Sequence, residues 1–149
     1  MSRCVQKILS NIDFKSIKSI NFDKAGYTEW NSFGGKVFDQ KTVYIKDAGN
    51  IHPKMDGRVF KCDTLIVDQC NKNFVYYWIH SYYFINVKNI FLFSHPAEPA
   101  FFRRWEGKSN IFLSENNLIY KNRWAAKMDN VTVIDNNIKQ QILDKIDKI

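Results

Sequence analysis

The feature that most constrains this chain is a recurring word of four positions. Asn89-Ile90-Phe91-Leu92-Phe93 and Asn110-Ile111-Phe112-Leu113 are nearly the same phrase. Aligned on the leucine-rich-repeat pattern, in which apolar residues fall at places one, four and six and Asn or Cys at nine, the phrase extends in both directions. One unit reads Cys62, Leu65, Val67, Cys70, and the next Val87, Ile90, Leu92, His95. Two more read Lys108, Ile111, Leu113, Asn116 and Met128, Val131, Val133, Asn136. A degenerate earlier unit reads Gln40, Val43, Ile45, Ala48. The starts are separated by 22, 25, 21 and 20 residues. All of these lie in the roughly 20–29 residue window of that repeat class.

The fourth and sixth places alternate, so both side chains point to one side of a short strand. Asn or Cys at the ninth can bond backbone groups where the chain turns away. Helices are expected between the strands, at 73–84, 98–106 and 117–127. Phe74 and Trp78, Phe101 and Trp105, and Tyr120 and Trp124 are each four apart, which puts each pair on one helical side facing the core. The expectation is an α/β chain: a leucine-rich-repeat-like β/α solenoid of four to five short turns. Residues 1–38 are read as its N-terminal helical cap. Residues 39–149 form the solenoid, and the apolar stripe Ile138, Ile142, Leu143, Ile146, Ile149 makes a capping helix over the final turn. A doubly wound domain with five parallel strands is the structural rival. The link from Ala48 to Phe60, with Gly49, Pro53 and Gly57, has no helical pattern and counts against it.

Residues flanking the sixth place point to the opposite side of each strand. They are Tyr44 and Lys46, Ile66 and Asp68, Phe91 and Phe93, Phe112 and Ser114, and Thr132 and Ile134. Such a row of large apolar groups, if open to water, is a protein-docking face. The expected protein-binding residues are therefore Tyr44, Ile66, Asp68, Phe91, Phe93, Phe112, Ser114 and Ile134. The competing reading has the C-terminal helix or self-contacts cover them. Arg103, Arg104, Lys121 and Arg123 form a basic surface on the outer helices, consistent with a net charge of +7 from 22 basic and 15 acidic residues. Such an excess suits an acidic partner or peripheral contact with an anionic membrane, and nucleic acid is a weaker option.

Catalysis is not expected. Cys62, Cys70, His80 and His95 lack the close ligand pairs of a zinc site. There is no phosphate loop, nucleophile elbow or paired-histidine helix motif. No metal or cofactor is called for. Three cysteines, an odd number, suit a reducing compartment better than a disulfide framework. No apolar run reaches the roughly 20 residues of a membrane span.

The N-terminal cap carries a family resemblance. Val5, Ile8, Leu9 and Ile12 recur at helical spacing, and a second helix is expected from Asp23 to Phe33. Gly26-Tyr27-Thr28-Glu29-Trp30 and Gly34-Gly35-Lys36-Val37-Phe38 resemble the cap of mitochondrial ATP synthase subunit s, also called coupling factor B. Glu29, Trp30, Gly35 and Val37 match that cap in type and spacing, whereas Asp23 and Lys24 are one residue out of step. The resemblance implies a non-catalytic subunit or assembly factor of a respiratory complex, peripheral to the mitochondrial inner membrane. Its partners would be subunits of ATP synthase or, by a paralogous branch, of complex I. Residues 1–11 then read either as a short targeting segment or as an ordinary first helix. Other settings for the same fold are an F-box-like ubiquitin-ligase adaptor and a virus-particle component.

Overall fold

The computed structural model describes residues 3–20, 37–47, 59–80, 82–93, 99–115 and 123–148. It is an α/β structure with two parallel sheets. The elements run α1 (Arg3–Leu9), β1 (Ile17–Ile20), β2 (Val37–Asp39), β3 (Thr42–Lys46), β4 (Val59–Lys61), β5 (Thr64–Asp68) and α2 (Lys72–Trp78). They continue with β6 (Phe84–Ile85), β7 (Asn89–Leu92), α3 (Pro99–Trp105), β8 (Asn110–Ser114), β9 (Val131–Ile134) and α4 (Asn136–Asp147). Short 3-10 turns lie at Phe14–Ser16 and Arg123–Lys127.

The larger sheet has six strands in the order β1-β3-β5-β7-β8-β9, and the smaller has three in the order β2-β4-β6. In the larger sheet Val43 is opposite Leu65, Leu65 opposite Ile90, Ile90 opposite Ile111, and Ile111 opposite Val131. These are the offsets read from the repeated word. Left-handed backbone recurs in step with them. Asp47 (φ 57°) and Gln69 (φ 51°) stand at the exits of β3 and β5, and Asn86 (φ 61°) and Gly107 (φ 73°) stand three residues before β7 and β8. Asn and Gly tolerate this region best, which suits the second pair.

Alternation divides the side chains of the larger sheet between two buried clusters. Val43, Ile45, Leu65, Val67, Ile90, Leu92, Ile111, Leu113 and Val131 join Phe74, Trp78, Phe101, Phe102 and Trp105 of α2 and α3. Phe74 and Trp78 stack at 5.9 Å, as their spacing of four requires. The smaller sheet closes the same cluster with an aromatic ladder. Phe60 stacks on Phe84 at 4.9 Å and meets Phe38 edge-on at 5.5 Å. Each such ring pair adds about 0.5–1.5 kcal/mol beyond the area it buries.

Several expectations need correction. Ile17–Ile20 form a strand that pairs with β3, inside the segment read as a helical cap. The helix expected at 73–84 stops at Trp78, and β6 occupies its end. The last helix is capped by Asp135, whose carboxylate accepts from Ile138 N–H at 2.8 Å, but it does not sit on the final turn. It packs on a sheet face instead. The second cap helix at 23–33, and most of the helix at 117–127, lie outside the described residues.

Candidate functional site

The expected docking residues meet in one place, but they are not open. Tyr44, Ile66, Phe91, Phe93, Phe112 and Ile134 form the second buried cluster with Ile8, Leu9 and Ile12 from α1 and its exit, and with Ile138 and Ile142 of α4. Asp68 and Ser114 are buried beside them. Phe91 and Phe112 stack at 4.4 Å with ring planes 10° apart, and Phe93 meets Phe91 edge-on at 6.2 Å. The competing reading, cover by the C-terminal helix, describes this face, with α1 as a second cover.

The geometry explains how α4 reaches so far. Twelve residues of helix span about 18 Å at 1.5 Å each. Five parallel strands about 4.8 Å apart span roughly the same distance. Leaving β9, the helix brings the Lys139 ammonium 5.8 Å from the Phe93 ring and that of Lys145 5.2 Å from the Phe14 ring. Ile138 and Ile142 of the helix share one buried cluster with Tyr44 of β3.

Polar belts close this cluster at both ends of the strands. At the entry end, Asn110 Nδ2 donates to Asn89 Oδ1 at 3.4 Å, and Asn89 Nδ2 donates to Thr64 Oγ1 at 3.5 Å. The Thr64 hydroxyl donates to the Asn11 carbonyl at 2.6 Å, and that of Thr42 to the Asp13 carbonyl at 3.1 Å. These bonds tie the exit of α1 to the strand ends. At the far end Tyr44 Oη donates to Asp68 Oδ2 at 3.0 Å. The other oxygen, Asp68 Oδ1, is buried with no hydrogen-bond partner among the described residues. Burial pushes the Asp68 carboxyl above its ordinary value, against the opposing pull of the Tyr44 hydroxyl and Lys139. Burial, with the Asp68 charge, pushes the Tyr44 hydroxyl up as well.

Cys62 and Cys70 are both buried. The Cys70 thiol approaches the carbonyls of Asp68 at 3.3 Å and Ile45 at 3.7 Å, so it bonds toward a neighbouring turn from the ninth place. Burial, followed by the charges of Asp63 and Asp39, pushes the Cys62 thiol up to about 12. No group of three metal-ligating side chains occurs among the described residues.

Two open clefts run along the strand-entry edge and share Lys88. One, of about 720 Å³, is lined by Asn11, Asp13, Lys41, Asp63 and Lys88, and the other, of about 670 Å³, by Lys88, Lys108, Asp129 and Asn130. Their charges are partly answered within the chain, Lys41 by Asp13 at 3.8 Å and Lys88 by Asp63 at 4.0 Å. Exposed pairs of this kind contribute at most about 1 kcal/mol.

The expected basic surface is only partly in view. Arg103 is exposed, whereas Lys121 and the Arg123 side chain lie outside what is described. Arg104 is half-buried and fixed. Its guanidinium lies 4.4 Å from the centre of the Tyr76 ring and donates to the Tyr76 carbonyl at 2.6 Å. Around it is a group of rings that the repeat pattern does not single out. Tyr76 meets Tyr77 at 5.1 Å, and His80 stacks on Tyr82 at 4.4 Å with planes 10° apart. His80 Nδ1 accepts from the Tyr82 N–H at 3.2 Å. Partial burial, then Arg104 and Lys108, lowers the His80 pKa. The signal available in the sequence is position: Tyr76 and Tyr77 fall between Phe74 and Trp78, off the inward side of α2.

An α/β fold with parallel sheets and a helix-covered strand face defines the class. The chain belongs to a family of unknown function (DUF5845), whose model matches residues 43–125. It is similar to "Uncharacterized protein R849" of Acanthamoeba polyphaga mimivirus, with 36% identity over 74% of this chain and 77% of the relative. It is also similar to "Uncharacterized protein L163" of the same virus, with 33% identity over 66% of this chain and 70% of that relative. No solved structure matches. These relatives overturn the resemblance to ATP synthase subunit s, and with it the respiratory-complex role and the mitochondrial inner-membrane location. The cap motif behind that resemblance was a few residues long, and most of it falls in 21–36, outside the described residues. No helix among the described residues is long and apolar enough to cross a membrane.

Proposed function

We propose that the chain is a short leucine-rich-repeat-type β/α solenoid that works by binding another protein and carries no catalytic centre. The observation that carries this reading is the strand register. Offsets that follow the repeated word, left-handed residues in step with them, and the Phe38-Phe60-Phe84 ladder fit stacked units that each contact their neighbours. Stacked units present an extended surface, which suits a partner of protein size. The buried polar side chains described above serve structure: the Thr and Asn belt ties down α1, and Cys70 bonds the turn. Asp68 is the one shifted carboxyl among the described residues, and it is buried and lines neither of the two clefts above.

The relatives come from a giant virus of an amoeba, so the partner is to be sought among proteins of such a virus or of its host. The test is affinity purification of the tagged chain from infected and uninfected amoebae, followed by size-exclusion chromatography of the eluate. The expected result is co-elution with one protein at a constant ratio through salt washes. Elution alone as a monomer from both sources would contradict the reading.

A further inference from the structure

The exposed large apolar side chains among the described residues are Val37, Tyr77 and Tyr82. Tyr77 belongs to the ring group at Arg104, and Tyr82 stacks on His80 just beyond the end of α2. Tyr82 is 68% exposed and Tyr77 41%, although each has an aromatic neighbour that fixes its position. The rings and the guanidinium make two ordered groups: Tyr77 on Tyr76 with Tyr76 under Arg104, and, just beyond the end of α2, His80 on Tyr82. A pre-ordered set of Tyr and Arg loses little side-chain freedom on binding, and these residue types are enriched where binding energy concentrates.

The sequence around the set is mainly basic. Residues 69–97 contain no Asp or Glu, and Lys72 lies in that stretch. Arg103 and Lys108 add cations from α3 and its exit, against Glu98 and Glu106. We propose that Tyr76, Tyr77, His80, Tyr82 and Arg104 form the docking surface for an acidic, apolar-studded segment of a partner protein. This rests on the protein-binding reading above and names the surface and the chemistry it selects. A nucleic-acid strand fits less well. A phosphate backbone asks for a row of cations along a groove, whereas this surface is mostly rings.

The test uses the whole chain, labelled with nitrogen-15, titrated with a peptide of alternating Glu and Leu. A Lys–Leu peptide and a single-stranded oligouridylate serve as comparisons. The expected result is amide shifts confined to 76–83 and 103–108 with the acidic peptide alone. Tyr82→Ser and Tyr77→Ser, both exposed enough to leave the fold intact, each weaken that binding by about tenfold. Equal binding of the Lys–Leu peptide would overturn the proposal, as would preference for the oligouridylate, shifts centred on the strand-entry clefts, no binding, or unchanged affinity in both variants. If the amoebal purification yields a partner that Tyr82→Ser still retains, the protein-binding reading stands and this surface is wrong. If no partner is found, that reading fails first.

Discussion

The two faces of the larger sheet are made by alternate residues of the same strands, yet their covers come from different parts of the chain. Val43, Leu65, Ile90 and Ile111 pack under α2 and α3, which lie in the connections between consecutive strands. Tyr44, Ile66, Phe91 and Phe112 pack under α1 and α4, the first and last helices. A cover inside a connection arrives with its strands and adds little loop closure. A cover from the two ends closes only when distant parts of the chain meet, which costs more entropy and comes later. The first face is therefore expected to hold the fold together. The second is expected to open before the rest does.

Truncation in the first core sharpens this most. Trp78→Ala removes a fully buried ring from the α2 side and is expected to cost about 3–5 kcal/mol, a large share of a typical domain's stability. Urea unfolding followed by circular dichroism checks it, with the whole structure lost in one transition.

Truncation in the second core should behave differently. Ile142→Ala is expected to cost about 2–4 kcal/mol, with part of the loss appearing as local opening. Hydrogen exchange should speed up in α4 while the amides of β5 and β7 keep their protection. Equal acceleration in both strands would erase the distinction between the faces.

A smaller effect comes from Asp68. Its folded-state pKa lies above the ordinary value, so the folded chain keeps a proton that the unfolded chain has released. That contribution is fully present below the ordinary carboxylate value of about 3.9. It is lost as pH rises through the raised folded value. Wild type should therefore lose stability relative to Asp68→Asn as pH rises through that window. Urea midpoints for both proteins across the acid range check the sign, and a constant gap would count against a buried, strained carboxyl.

The repeated word made the strand register legible, because alternation of apolar side chains and a steady spacing are properties of the sequence itself. The cover on the second face was less legible. The stripe Ile138, Ile142, Leu143 and Ile146 says that α4 buries one side, but not against what. A helix of that length can cap an end or lie across five strands, and only its packing with Phe93 and Tyr44 decides. β1 was missed because Ile17-Lys18-Ser19-Ile20 is too short for its alternation to stand out beside a helical stretch. The mitochondrial reading failed because a few cap residues were asked to carry a family, whereas the match to relatives spans about three quarters of the chain. The ring group around Arg104 is built by contacts between α2, the residues after it, and α3, so its residues are visible in the sequence but their assembly is not.

The central claim is that α4 lies on the aromatic strand face. It is tested most directly by methyl-to-aromatic nuclear Overhauser contacts in the isotopically labelled full chain. Contacts are expected from the Ile138 and Ile142 methyls to rings among Phe91, Phe93 and Phe112. Absence of every such contact, with those rings open to a soluble paramagnetic probe, would contradict it and return the face to the role of an exposed docking surface.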